Sequence, residues 1–183
     1  MLNATSRSLL SLVTALSLGA AAPVFAEGPA LLTVTGDITD SNRGPVDPET
    51  DKLFIFNDVS FDKAREFDLG MLEKLPQATI HADFPKGGAR TEFSGPLLKD
   101  VLAAAGAEGE DVLIQAMDGY AIEVPVADLV DKGAVVALER DGRSLGIGGL
   151  GPTQIVFPRA DRADLSDMPD DWWIYQIFHI KVE

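Results

Sequence analysis

Apolar positions fall in short runs divided by Gly, Pro and Asp, with a single clear helical stripe among them. Leu31–Thr35 (LLTVT) predicts a strand that stops at Gly36-Asp37. Residues 37–51 carry Gly44, Pro45 and Pro48 as breakers and predict a loop. Leu53–Asn57 (LFIFN) is a second apolar run of strand length. Asp68–Leu75 predicts a short helix that Asp68 can cap and Pro76 ends. Thr79–Phe84 (TIHADF) predicts a third strand, closed by Pro85-Lys86-Gly87-Gly88.

The stripe lies at Pro96–Ala105. Leu97, Leu98, Val101, Leu102 and Ala105 share one face at helical spacing. Ser94 or Gly95 suits the cap, Pro96 the first turn and Gly106 the stop. Asp118-Gly119 then joins Val112–Met117 to Tyr120–Val124, and Asp141-Gly142 joins Val135–Arg140 to Arg143–Leu145. Asp-Gly between apolar runs favours the positive-φ turn that matches strand twist. Pro125–Val130 predicts one helical turn, Gln154–Phe157 a strand, Arg159–Asp171 a polar acidic loop and Trp172–Val182 a final strand. Many short strands with a few short helices, without regular β-α-β alternation, predict an α+β fold. No repeat or dividing linker is visible, so residues 27–183 are expected to form one domain.

The N-terminus carries a different message. Arg7 is the only charged side chain before Glu27, Leu9–Ala22 is apolar, and Val24-Phe25-Ala26 places compact residues before a cleavage point. Residues 1–26 therefore read as a signal peptide cut after Ala26. The leader has no Arg-Arg pair, so the expected route is general secretion, to the periplasm or outside the cell. No later stretch has the length and apolarity of a membrane span. The formal charge is −14, which argues against nucleic acid and anionic membranes as partners. There is no cysteine and there are two histidines, His81 and His179. Disulfides, thiolate-held metals and a three-His metal site are thereby excluded.

The order of the motifs resembles a known family. Leu75-Pro76-Gln77-Ala78-Thr79 leads into a strand, and Phe93-Ser94-Gly95-Pro96-Leu97-Leu98 opens a helix ending Ala-Ala-Gly-Ala. Asp118 to Pro125 (DGYAIEVP), a Gly151-Pro152 step and Ile155-Val156-Phe157-Pro158 follow, and an aromatic strand ending Ile-Lys-Val closes the chain. In this order they resemble the oxidoreductase molybdopterin-binding domain of the sulfite oxidase type, above all its short exported single-domain members. The resemblance spans roughly Leu31 to Val182 and implies mixed rolled β-sheets. It also implies a molybdenum held by the pterin dithiolene and one cysteine near the strand after the Leu-Pro segment. Here that stretch is Thr79–Pro85, and it holds His81 and Asp83 but no cysteine. The family inserts its cofactor into folded protein in the cytoplasm, whereas a general secretory substrate crosses unfolded. The expectation is thus the family scaffold without its metal centre, with no cofactor and no catalytic residue. It would bind a small ligand or a partner protein such as a membrane-bound sensor. The alternative is an active molybdopterin-dependent oxidoreductase or its electron-transfer partner.

Five residues are candidates for the ligand site. His81 stands in the strand where the family places its metal ligand. Tyr120 corresponds to a position facing the cofactor pocket in related domains. Arg159 and Asp161 open the acidic loop, where the resemblance places arginines, Arg159 and Arg162 here, on the pterin phosphate. Trp172 or Trp173, adjacent and so facing opposite ways in a strand, could wall a cleft, and Trp172 is the candidate. His179 is expected at the rim of the last strand. In the loop of residues 37–51, spacing from Asp40 to Asp51 suggests a calcium loop, but Pro45 stands where the sharp turn requires Gly. Gly146, Gly148, Gly149 and Gly151 precede no helix pattern and read as a turn.

Overall fold

In the computed structural model residues 26–183 are described. The leader assigned to residues 1–26 therefore lies outside the described residues, Ala26 excepted. The first sheet is built around the end of the chain. Strand β11 (Ile177–Val182) lies between β1 (Leu32–Gly36), to which it runs parallel, and β5 (Asp111–Ala116), to which it runs antiparallel. β2 (Arg65–Phe67) and β6 (Ala121–Pro125) complete the order β2-β1-β11-β5-β6. A central strand is covered on both faces, and five of the six residues of β11 are buried. Gly36 lets β1 approach the far end of β11. A Cβ there would stand 2.0 Å from the Val182 carbonyl oxygen, and its φ of 85° suits glycine alone.

A second sheet takes β3 (Gln77–Ala82), β4 (Thr91–Pro96), β8 (Glu139–Arg140) and β9 (Arg143–Ser144) in that order. β7 (Val135–Ala137) pairs with β10 (Gln154–Val156) and rests on β4. The contact is backbone against backbone at Gly95, where a Cβ would lie 2.1 Å from the Val136 carbonyl oxygen. Short helices α1 (Lys52–Phe56), α2 (Leu69–Glu73), α3 (Leu98–Ala104) and α4 (Val126–Asp131) fill the connections. The architecture is α+β with mixed sheets. One continuous core joins the sheets through Phe67, Phe93, Ile114, Phe157 and Trp173, each worth about 1.5–3 kcal/mol or more on burial. Among the described residues no helix is long and apolar enough to cross a membrane.

Local rules succeed where a turn or cap decides the conformation. Gly119 (φ 91°) turns β5 into β6, and Asp141 and Gly142 (φ 49° and 68°) turn β8 into β9. The Asp68 carboxylate accepts the Met71 N–H at 2.7 Å and caps α2. Val101, Leu102 and Ala105 of the predicted stripe are buried.

Other expectations are corrected. Leu53–Asn57 holds the single turn α1, not a strand; only Phe54 is buried, wedged against Phe61 and Phe178, while Phe56 is 79% exposed. Its apolar run is too short for periodicity to decide its form, and β2 occupies the adjacent sheet edge. Thr91–Pro96 is the unanticipated strand β4, so Pro96 ends a strand and α3 begins at Leu98. The final strand starts at Ile177, after Gln176 takes φ 55°.

His179 is not at a rim: it is 2% exposed, at the centre of the first sheet. Its Nε2 lies 2.7 Å from the Thr35 hydroxyl and its Nδ1 3.3 Å from the Gln115 carbonyl oxygen. Gln115 spends its amide N–H on the Asn57 carbonyl, so the network fits a neutral ring donating from Nδ1 and accepting at Nε2. Burial, helped by the charge of Lys181, pushes His179 down to about 4. The unfolded chain takes up this proton near 6.5 and the folded one near 4, so stability falls as pH drops through that window. Urea denaturation across pH 7 to 4 should show a loss of up to roughly 3 kcal/mol that His179→Gln lacks. Parallel curves for the two proteins would refute the buried neutral imidazole.

Candidate functional site

The five candidate residues separate into four places. Tyr120 alone lines a cleft of about 350 Å³ at the end of the β5–β6 hairpin. The Asp118 carboxylate accepts the Tyr120 N–H at 3.0 Å and sets the ring at the mouth. The Tyr120 hydroxyl donates to the Asp171 carbonyl at 3.3 Å, tying hairpin to acidic loop. Phe84, Trp173, Ile174 and Tyr175 supply further apolar wall, and Asp118, Asp170 and Asp171 are its acidic residues, the Asp170 carboxylate being taken up by Arg159 and the Lys86 N–H. Among the described residues no basic side chain lines this cleft.

The wall comes from Trp173, not from Trp172. Trp173 is 2% exposed and stacks on Phe84, with ring centroids 5.5 Å apart and planes within 10°. Its indole N–H is buried and has no hydrogen-bond partner among the described residues. Trp172 turns elsewhere, toward Phe157 and under the Lys132 ammonium at 5.4 Å. Adjacency did separate the two rings, but the pair sits in a turn before β11 and its core member also reaches the cleft.

Arg159 lies behind the cleft. Its side chain is 1% exposed, and its guanidinium stands 4.4 Å from the Trp173 ring centroid. Nε donates to Asp83 at 2.5 Å, one terminal nitrogen to Asp170 at 2.7 Å and the Met168 carbonyl at 2.8 Å, and the other to the Asp83 carbonyl at 3.2 Å. Burial pushes the Asp83 carboxyl up, but the Arg159 hydrogen bond and charge, with the Gly87 N–H, outweigh it and hold the carboxyl below its ordinary value. Arg159 thus knots β3, the acidic loop and the tryptophan together.

His81 and Asp161 do meet, on the outer side of β3. Asp161 accepts the His81 backbone N–H at 2.7 Å, lies 3.3 Å from the ring Nδ1 and pairs with Arg90 at 2.8 Å. The Ala160 N–H returns a bond to the His81 carbonyl at 3.1 Å. Burial raises the Asp161 carboxyl, but the His81 backbone bond and Arg90 bring it below its usual range. The cluster is a clasp between strand and loop. His81 and Asp161 do not line the Tyr120 cleft.

Phe84, Tyr175, Asp118, Asp170 and Asp171 were missed as cleft residues. The acidic loop and the Asp-Gly turn were visible in sequence, but nothing local shows that they face each other across 50 residues.

The cofactor that the resemblance implies does not fit these residues. Both arginines assigned to its phosphate are spent within the protein: Arg159 as above, and Arg162 on the Asp131 carbonyl and the Asp164 carboxylate. The nearest cleft presents carboxylates, which repel a phosphate. No thiolate exists to ligate molybdenum. Among the described residues no group of three or more His, Asp and Glu is placed to hold a metal ion. In the calcium candidate loop, Asp51 instead pairs with Arg43, which also holds Glu66 at 2.5 Å.

Comparison with known proteins finds structural neighbours among solved structures. No protein-family model and no curated protein matches the chain. The fold matches the crystal structure of the sulfane dehydrogenase SoxCD from Paracoccus pantotrophus with a TM-score of 0.56 at 16% identity. The match covers 84% of this chain and 38% of that one, so this chain spans well under half of its neighbour. At that identity the likeness shows a shared fold.

Proposed function

We propose that the protein is a non-catalytic, exported binding module. It keeps a scaffold of the sulfite oxidase type without the metal centre and holds a small cationic ligand in the Tyr120 cleft. The observation that carries this reading is the lining of the cleft. Aromatic faces attract an organic cation, and carboxylates neutralise it. The Asp171 carboxylate makes no hydrogen bond or ion pair among the described residues and is free for such a partner. The arginines that would serve an anionic cofactor are committed to internal carboxylates. The resemblance and the neighbour's fold favour one rival reading, an active molybdopterin-dependent oxidoreductase or its electron-transfer partner. Export by general secretion, read from the leader, and the absence of cysteine oppose it.

Two experiments test this. Protein purified from its native source should contain neither molybdenum nor pterin, and molybdenum at about one per chain would establish the rival. Tetramethylammonium should perturb Trp fluorescence saturably, and Tyr120→Ala should weaken it about tenfold, as loss of one cation–π wall implies. An absence of response to this probe would remove the cationic-ligand reading.

The same reading makes Arg159 structural. Arg159→Met leaves Asp83 and Asp170 without their cation and should cost about 3 kcal/mol in urea denaturation. A cost under about 1 kcal/mol would show that the guanidinium is not what holds the loop to β3.

A further inference from the structure

The N-terminal segment meets a buried carboxylate at the point where the leader reading places the cut. Asp68 is 5% exposed. One oxygen caps α2 through the Met71 N–H. The other accepts the Glu27 N–H at 2.7 Å and the Gly28 N–H at 2.9 Å. These bonds, led by those from Gly28 and Met71, hold the carboxyl below its ordinary value and so keep it ionised. No described Lys, Arg or His side chain forms an ion pair with it. Of the charged residues lining the adjacent 630 Å³ pocket, namely Glu27, Asp68 and Lys74, only Lys74 is a cation, and it acts from a distance. The three backbone N–H bonds outweigh the cost of burial but leave the charge without an adjacent counter-ion.

We propose that Asp68 is the receptor for the processed N-terminus: removal of the leader after Ala26 turns the Glu27 nitrogen into an α-ammonium that pairs with the Asp68 carboxylate. In the cleavage, water adds across the Ala26–Glu27 peptide bond. Its hydroxyl goes to the Ala26 carboxyl and its proton to the Glu27 nitrogen, which takes a further proton from solvent below about pH 7.7–8.0. The nitrogen already lies at hydrogen-bond distance, so no movement is required. One neutral donor becomes three donors carrying a full charge. Processing thereby supplies the counter-ion that the folded chain otherwise lacks. It also fastens the segment before β1 to α2, where the Leu31 N–H already donates to the Phe67 carbonyl at 2.8 Å. The inference is independent of the Tyr120 cleft.

Pairing raises the amine in the folded state. The added stability is therefore whole below about pH 7.7–8.0 and lost as pH rises through the higher folded value. The Asp68 side is lost at the other end, as pH falls below the ordinary carboxylate range. The test expresses the full chain with its leader, recovers the exported product and reads its first residue by mass spectrometry. The product should begin at Glu27. Its α-amine, titrated by NMR, should lie at least about one pH unit above the same amine in urea, a tenfold or greater shift in protonation. In Asp68→Asn it should return to the urea value, a change that loss of the helix cap alone would not produce. Should that variant not fold, the folded-against-urea comparison in the native chain decides. A product that begins elsewhere, or an α-amine with the same titration folded and unfolded, overturns the proposal.

Discussion

The structure depends on the placement of the last strand. β11 pairs with β1 in parallel on one side and with β5 antiparallel on the other, so the first sheet cannot form until both ends of the chain meet. Nearly every side chain of β11 is buried, and its one buried imidazole must stay neutral to sit there. The geometry of the cleft follows from the same strand. The turn at Gln176 that leads into it delivers Trp173, Ile174 and Tyr175 beside the β5–β6 hairpin, and Tyr120 closes the mouth from that hairpin. Such long-range pairing carries a large loop-closure cost, repaid by the burial of an apolar central strand.

Arg159 does for the second sheet what β11 does for the first. A buried guanidinium needs partners, and this one donates four hydrogen bonds, to Asp83, Asp170 and two backbone carbonyls. Its charge is consumed in joining β3 to the acidic loop and in supporting the Trp173 ring. A fold shared with a sulfane dehydrogenase does not by itself fix the chemistry. The scaffold constrains backbone paths, while the identity of a few side chains decides whether a cation faces a ligand or the protein itself. Asp68 shows the converse arrangement. There a buried carboxylate is matched by amides alone, and the pairing charge is proposed to arrive by processing.

Most of the turns and short strands, and the cap of α2, were legible because their causes lie within a few residues; the cap expected at Ser94 or Gly95 was not, since both lie in β4 and the N-cap of α3 is Leu97. Asp-Gly at positions 118–119 and 141–142 and Asp68 before α2 act through their own backbones. The stripe of α3 is local for the same reason. Leu53–Asn57 was misread because four consecutive apolar residues satisfy strand and helix alike, and only the neighbouring sheet edge decides between them. β4 was missed because its inward positions include Thr91 and Gly95, neither of them hydrophobic, and Gly95 is buried by backbone contact with β7.

The sequence by itself determined the acidic character, the lack of any thiolate ligand and the α+β mix of short elements. Composition and near-neighbour geometry suffice for each. The tertiary structure alone decided that His179 is central and not peripheral, that Trp173 and not Trp172 walls the cleft, and that Arg159 faces inward. The reason is physical. The state of a charged or amphipathic side chain depends on its partner, and the partners here lie up to 144 residues away in the chain.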